Sequence, residues 1–415
     1  MVAGRRIFIA YLAYFSAIGA AFPYLPVFYR DLGLTLQEIG LLTAIQAATQ
    51  LLFGPIWGGL VDRFPKTRLT LPAAALVAAG GAALLFRADD FAGVLQGSVL
   101  LFAGLAGVGP TLDSRTLETL GPRARDRYGQ VRAFGSLWFV VSTLLVGLVL
   151  AANGSRSLFW IYIPALLATV AVTSTIARRG SSRSVSLFRG ATDILSAPGM
   201  LLLFGGITVV WTALTAVNAF YSIQIVALGG NNSLVGVAWA VGATVEVPLM
   251  YAFPRLAARF GTERLFVLGA VAMATRAILA SLAATPIGLV IIAPIEGLAF
   301  ACVFVGGVTL LAARTPASLG GTVQGLFSAS AGLAAIIGSI SGGEIAGALG
   351  IPGLFALCSA LGLIGTAILA VVVLGPRGLP AMALAERAAA TVRPARSDGP
   401  ASVPAEPAAA VLPPD

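Results

Sequence analysis

PIGLVIIAPIEGLAFACVFVGGVTLLAA (286–313) holds a single ionisable residue, Glu296. As a helix rising 1.5 Å per residue it is about 42 Å long, more than the ~30 Å hydrocarbon core of a bilayer. It reads as a membrane span. Outward from it the same reading recurs until twelve runs are found, at 7–29, 38–61, 69–87, 92–114, 130–151, 157–177, 200–225, 233–254, 265–283, 286–313, 322–346 and 351–374. The composition agrees. Of 415 residues, 58% are hydrophobic and 10% are charged, against about 25% charged in an ordinary soluble domain. So few charges cannot cover a soluble surface of this size. The first run is too long for a signal peptide, contains Pro23 and Pro26, and lacks a small-residue cleavage site.

Composition also excludes several chemistries. The chain has no histidine, so a Ser-His-Asp triad, a haem histidine and a His-containing zinc site are ruled out. Lys66 is the sole lysine and follows Pro65, so the phosphate-binding G-x-x-x-x-G-K-[ST] loop is missing. The two cysteines, Cys302 and Cys358, fall inside apolar runs and read as small buried hydrophobes. No cofactor, no metal and no nucleic-acid partner is expected, and the chain is not expected to be an enzyme.

Basic residues set an expected orientation. With a cytoplasmic N-terminus, only Arg30, Arg87 and Arg156 fall outside, while Arg115, Arg132 and Arg276 lie within spans or at their ends. The other twenty of the 26 basic residues are then cytoplasmic, a positive-inside pattern that also accounts for the net charge of +9. The expected setting is the bacterial inner membrane, with both termini cytoplasmic.

The longest internal polar stretch, RRGSSRSVSLFRGATDILSAPG (178–199), reads as a cytoplasmic linker. It separates six spans in 1–177 from six in 200–374, and residues 375–415 form an Ala/Pro-rich tail that reads as disordered. A shift of 196 residues aligns DLGLTLQEIGLL (31–42) with ALGGNNSLVGVA (227–238), and VDRFPKTRL (61–69) with AARFGTERL (257–265). Parallel six-helix halves are the architecture of one large transporter class, with substrate handled between them near mid-membrane. The expected fold is an all-α membrane protein of 12 transmembrane helices in two pseudo-symmetric six-helix bundles.

GPIWGGLVDRFPKTR (54–68) resembles the loop signature between the second and third spans of the major facilitator superfamily, G-x-x-x-D-R-x-G-R-R. Gly58, Asp62 and Arg63 fit it, Lys66 and Arg68 supply its basic end, and Pro65 stands where the pattern has glycine. The resemblance implies a gating role for Asp62, Arg63, Lys66 and Arg68. Three further segments resemble the phenylpropionate permease branch, which is related to the lactose permease and nucleoside:proton symporter groups. They are PYLPVFYRDLGLTLQEIGLL (23–42), GPTLDSRTLETLG with DRYGQVRAFGSLWF (109–121, 126–139), and 294–343. In the last of these the branch often has His-Gly and this chain has Glu296-Gly297.

An ionisable side chain at mid-bilayer costs a few kcal/mol and is a functional candidate by default. Glu246, Arg276 and Glu296 are the deepest, and two acids with one base cannot all be neutralised pairwise. One carboxylate is expected to exchange a proton, with Asp113 as a further candidate. The competing reading is a structural network of buried ion pairs. Asp113 and Arg132 sit at the same end of neighbouring spans and are expected to pair as a gate, or else Arg132 meets a substrate carboxylate. Arg115 and Glu118 read as interfacial. Tyr11, Tyr14, Gln46, Gln50, Trp138, Asn218, Tyr221, Gln224 and Gln324 recur at helical spacing and are expected to line a substrate cavity, though helix–helix adhesion explains them equally well. In the repeat, Gln50 matches Glu246.

The expected function is proton-coupled symport of a small organic solute by alternating access, with a carboxylate or aromatic acid first and sugar or nucleoside next. The alternatives are a proton-driven exporter of amphiphilic or cationic compounds, and a lipid-handling protein or scramblase on the same fold. The expected partners are a small-molecule substrate, protons and the bilayer, with the chain acting as a monomer.

Overall fold

A computed structural model describes residues 2–64, 69–120, 124–176, 190–316 and 319–375. The first span is two helices, α1 (Val2–Ala21) and α2 (Leu25–Asp31), and Pro26 sits in the first turn of α2. Proline disfavours helical geometry in the residue before it, so the chain turns at Phe22-Pro23-Tyr24. The rest of the first half is α3 (Leu36–Arg63), α4 (Thr70–Arg87), α5 (Phe91–Leu120), α6 (Ala124–Asn153) and α7 (Leu158–Ser174). After a short α8 (Ala191–Ser196) come α9 (Met200–Ala227), α10 (Asn232–Phe260), α11 (Thr262–Leu282), α12 (Pro286–Ala313) and α13 (Gly320–Leu374).

The eleventh and twelfth expected spans are both in α13, which turns at Gly350 with φ +74°. A side chain at such a φ is strained, so Gly350→Ala is expected to cost more than about 1 kcal/mol, read as a lower thermal midpoint. Among the described residues there is no strand. Several helices outrun their apolar windows, as at α5, because helical geometry does not stop where hydropathy does.

Within the first half, α1 packs on α6 and α7, and α4 on α5 and α7. In the second half α9 packs on α13, and α12 on α10 and α11. The halves meet mainly along α3–α13 and α6–α10, with a smaller α2–α9 contact. The sequence repeat recurs in backbone detail. Gly33 and Gly229 take φ +83° and +87° in the turns before α3 and α10. Thr35 and Asn231, also 196 apart, cap those two helices by accepting from Glu38 N–H and Leu234 N–H.

Gly40 and Gly236 then lie against the opposite half. A Cβ on Gly40 would run into Ser339 O and lie 2.9 Å from Gly343 Cα, and one on Gly236 would lie 2.5 Å from Tyr24 OH and 2.8 Å from Thr143 O. Gly147 is equally tight, 2.8 Å from Asn232 O. All of these contacts are at the end carrying the Gly33 and Gly229 turns, here termed the sealed end. Halfway along, Gly332 still meets Leu51, but Gly54, Gly58 and Gly59 further down α3 have nothing within 4 Å. Among the described residues the halves part toward that end, leaving a cleft.

Candidate functional site

The second half builds its site around a buried cation. Arg276 on α11 is 1% exposed. Its Nη1 donates to Asn218 Oδ1 at 2.7 Å, and Asn218 Nδ2 donates to Glu296 Oε1 at 3.3 Å. The guanidinium carbon lies 4.4 Å from the centre of the Tyr221 ring, a cation–π contact worth about 2 kcal/mol or more when desolvated. Tyr221 is fixed in turn, its hydroxyl donating to Leu289 O at 2.6 Å. Asn218 and Tyr221 are three apart on α9 and so share a face, which lets one helix hold both the amide and the ring beside Arg276. The Arg276 Nε remains buried without a hydrogen-bond partner.

Glu246 stands apart from this relay. It is half-buried on α10, where a Cβ on Gly297 would run into Gly242 O and lie 2.7 Å from Glu246 N. Gly242 and Gly297 thus bring α10 and α12 into backbone contact, and with them two carboxylates. Glu296 from α12 and Arg132 from α6 of the other half both interact electrostatically with Glu246.

The first half presents Arg132 exposed on α6, its guanidinium carbon 4.8 Å from the centre of the Phe15 ring and its Nη1 donating to Ser136 Oγ at 3.0 Å. The expected Asp113–Arg132 pair is not made. Asp113 instead accepts the hydroxyl of Tyr11, whose ring stacks on Phe15 with centroids 5.9 Å apart. The physical reason lies in the aromatic layer: Phe15 offers Arg132 a face and Tyr11 offers Asp113 a donor, so each charge is served on its own side. Tyr14 stands edge-on to Phe15 at 5.4 Å, and Trp138 donates to Ser16 Oγ.

The expected cavity wall divides. Gln50 is exposed, and Tyr14, Gln46, Trp138, Asn218 and Gln324 are half-buried, as a wall requires. Tyr11, Tyr221 and Gln224 are 0%, 2% and 4% exposed, so they are enclosed among the helices and do not themselves face a cavity. Gln324 spends an amide N–H on Val308 O at 3.4 Å. Arg115 is also not interfacial: it is 2% exposed and donates to Ile176 O and Thr70 Oγ1, tying α5 to the end of α7 and the start of α4.

Of the expected gating set, Arg63 is exposed on α3, while Lys66, Arg68 and the side chain of Asp62 lie outside the described residues, as do most of the linker and nearly all of the tail. In the second half, Arg314 at the end of α12 pairs with Glu263 of α11 at 3.3 Å. Sequence reasoning missed Asn218 as the bridge between Arg276 and Glu296. Its spacing from Tyr221 was visible, but the partner across three helices was not.

The model of the MFS_1 like family matches residues 5–356. Maltose permease of Geobacillus stearothermophilus is 28% identical over 268 residues, 64% of this chain and 68% of the relative. Among solved structures, the nucleoside transporter NupG superposes with a TM-score of 0.80 at 13% identity, over 89% of this chain and 98% of that one. A POT family transporter in complex with 5-aminolevulinic acid gives 0.69 at 11% identity, over 89% and 95%.

Proposed function

The chain belongs to the MFS_1 like family of membrane transporters, and from that premise we propose that it imports a small organic acid together with a proton. The two halves rock about the cleft, which is sealed at one face of the membrane while open at the other. The observation that carries the reading is Arg132, an exposed cation in the cleft that rests on Phe15 and Ser136 and has no acidic hydrogen-bond partner among the described residues. A substrate carboxylate completes it, since the guanidinium fork matches a carboxylate in two parallel bonds. The flanking rings of Tyr14, Phe15 and Trp138 suit an aromatic or flat body.

Charge counting supplies the proton. Arg276 is joined through Asn218 to Glu296, so this acid has a cation within its own half. Glu246 has a neighbouring acid in its own half and faces Arg132 across the cleft. With the substrate acid on Arg132, that cation is no longer free to balance Glu246, and a proton on Glu246 restores the balance. Solute and proton therefore enter together. In this scheme Arg276 and Asn218 hold the Glu296 carboxylate in place, and Asp113 orients Tyr11 against Phe15.

A neutral, hydroxyl-rich solute is the second reading, favoured by the names of the maltose permease and of the nucleoside transporter. Arg132 and Glu246 would then donate to and accept from hydroxyls. Thermal unfolding against carboxylates, sugars, nucleosides and lipophilic cations, at acid and neutral pH, separates these, because a ligand that binds only the folded state raises the midpoint. The expected result is stabilisation by a carboxylate, stronger at acid pH. Arg132→Ala is expected to weaken it by at least about 30-fold in Kd, as loss of one partner of a charged pair does. Stabilisation by a sugar or nucleoside that is indifferent to pH selects the second reading. Stabilisation by lipophilic cations alone, strongest at neutral pH, makes the protein an exporter.

A further inference from the structure

The break in the first span places two aromatic side chains on the opposite half, one turn apart on α10. Tyr24 lies over Gly236, and the ring of Phe22 stands edge-on to Trp239 with centroids 5.0 Å apart. Trp239 is fixed from behind: its indole N–H donates to Ser222 Oγ at 2.9 Å, and its ring meets Tyr221 edge-on at 6.5 Å. Tyr221 is the ring beneath the Arg276 guanidinium, and Asn218 one turn away carries the bond from Arg276 to Glu296. A continuous run of contacts therefore joins the buried charges to the seam between the halves.

The glycine seams at the sealed end run elsewhere. The Gly40 seam touches α13 backbone, and the Gly147 seam touches the start of α10. Trp239 contacts both a residue of the first half, Phe22, and the support of Arg276, Tyr221. An edge-on aromatic pair is sensitive to small displacements of either ring, and packed seams respond as two discrete states rather than by gradual yielding.

We propose that Trp239 is a positioning residue through which the Arg276–Asn218–Glu296 relay sets the closure of the sealed end. A change of charge in the relay moves the guanidinium relative to Tyr221, the tyrosine ring moves Trp239, and the contact with Phe22 is made or released. This rests on the reading of the relay as part of the transport machinery, and it assigns the route by which that site reaches the seal.

Spatial continuity alone does not establish coupling; a double-mutant cycle does. Ser233 faces Gly147 O across the seam at 3.4 Å, so a cysteine there reports parting of the halves. In detergent, with Cys302 and Cys358 replaced by alanine, the rate of maleimide labelling of Ser233→Cys is measured with and without Glu296→Gln. Glu296→Gln is expected to change labelling by at least about fivefold, one kcal/mol of coupling. With Trp239→Leu the same charge change is expected to alter labelling less than twofold. Ser222→Ala, which keeps every ring and frees only the indole N–H, is expected to give an intermediate value and serves if Trp239→Leu does not fold.

A Glu296→Gln effect that persists undiminished in both variants overturns the assignment, as does labelling that never responds to Glu296→Gln. Proton uptake by the native protein on ligand binding is measured separately. Its absence would sink the symport reading while leaving the cycle interpretable, because the cycle changes the charge by substitution.

Discussion

Leucine in place of Gly40 is expected to hold the sealed end open and to abolish net transport. A Cβ at this position meets main chain, Ser339 O and Gly343 Cα, and no flexible side chain stands between to give way. Overpacking costs about 1–3 kcal/mol, and backbone obstruction belongs at the upper end of that range. The cost falls only on the state in which this end is closed, so it acts directly on the equilibrium between the two access states.

Gly236→Leu, which meets Tyr24 OH and Thr143 O, is expected to do the same on the other seam. The double variant then approaches the ~5.5 kcal/mol that swings a two-state equilibrium from 99:1 to 1:99. Maleimide labelling at Ser233→Cys is expected to rise by roughly tenfold or more in each single variant, since 1.4 kcal/mol is a factor of ten. Normal uptake by both single variants would show that the seams are not the gate.

Arg276→Met is expected to be the most damaging substitution for stability. Removing one member of a buried charged network costs about 3–5 kcal/mol, because the remaining charge is left without compensation. Here Asn218 loses its donor and the Glu296 carboxylate is left with an amide alone. The prediction has an internal control. Adding Glu296→Gln removes the stranded charge and is expected to recover at least half of the loss, read as thermal midpoint or lifetime in detergent. A loss under about 1 kcal/mol, or no recovery with Glu296→Gln, would mean that the arginine and the acid are not energetically joined.

Much of the fold is legible because a bilayer reads composition. Among the described residues eleven long apolar helices satisfy length and hydropathy for crossing, and the last of them holds two spans joined at Gly350, between the expected runs 322–346 and 351–374. The 196-residue repeat pointed to Gly40 and Gly236, and both become close approaches between the halves. Sequence could not supply helix rotation. Tyr221 and Gln224 share a helical face with Asn218, yet α9 is packed so tightly that only Asn218 is left half-exposed. Asp113 and Arg132 are at the right depth to pair, but Phe15 lies between their functions, and its position follows from how α1 turns rather than from its place in the chain. Trp239 gave no sequence signal, because its importance comes from Phe22, more than two hundred residues away, and from the break at Pro23 that delivers it.

The sealed end is made of glycine seams, two aromatic contacts and hydroxyl-to-carbonyl bonds. Among the described residues no ion pair crosses it: Arg156 pairs with Asp89 inside the first half and Arg314 with Glu263 inside the second. Surface charge pairs weaken as electrolyte is added, over a Debye length of about 8 Å at physiological strength, whereas dry packing does not. The grip of the seal itself is therefore not loosened by added electrolyte, as a latch built of surface ion pairs would be.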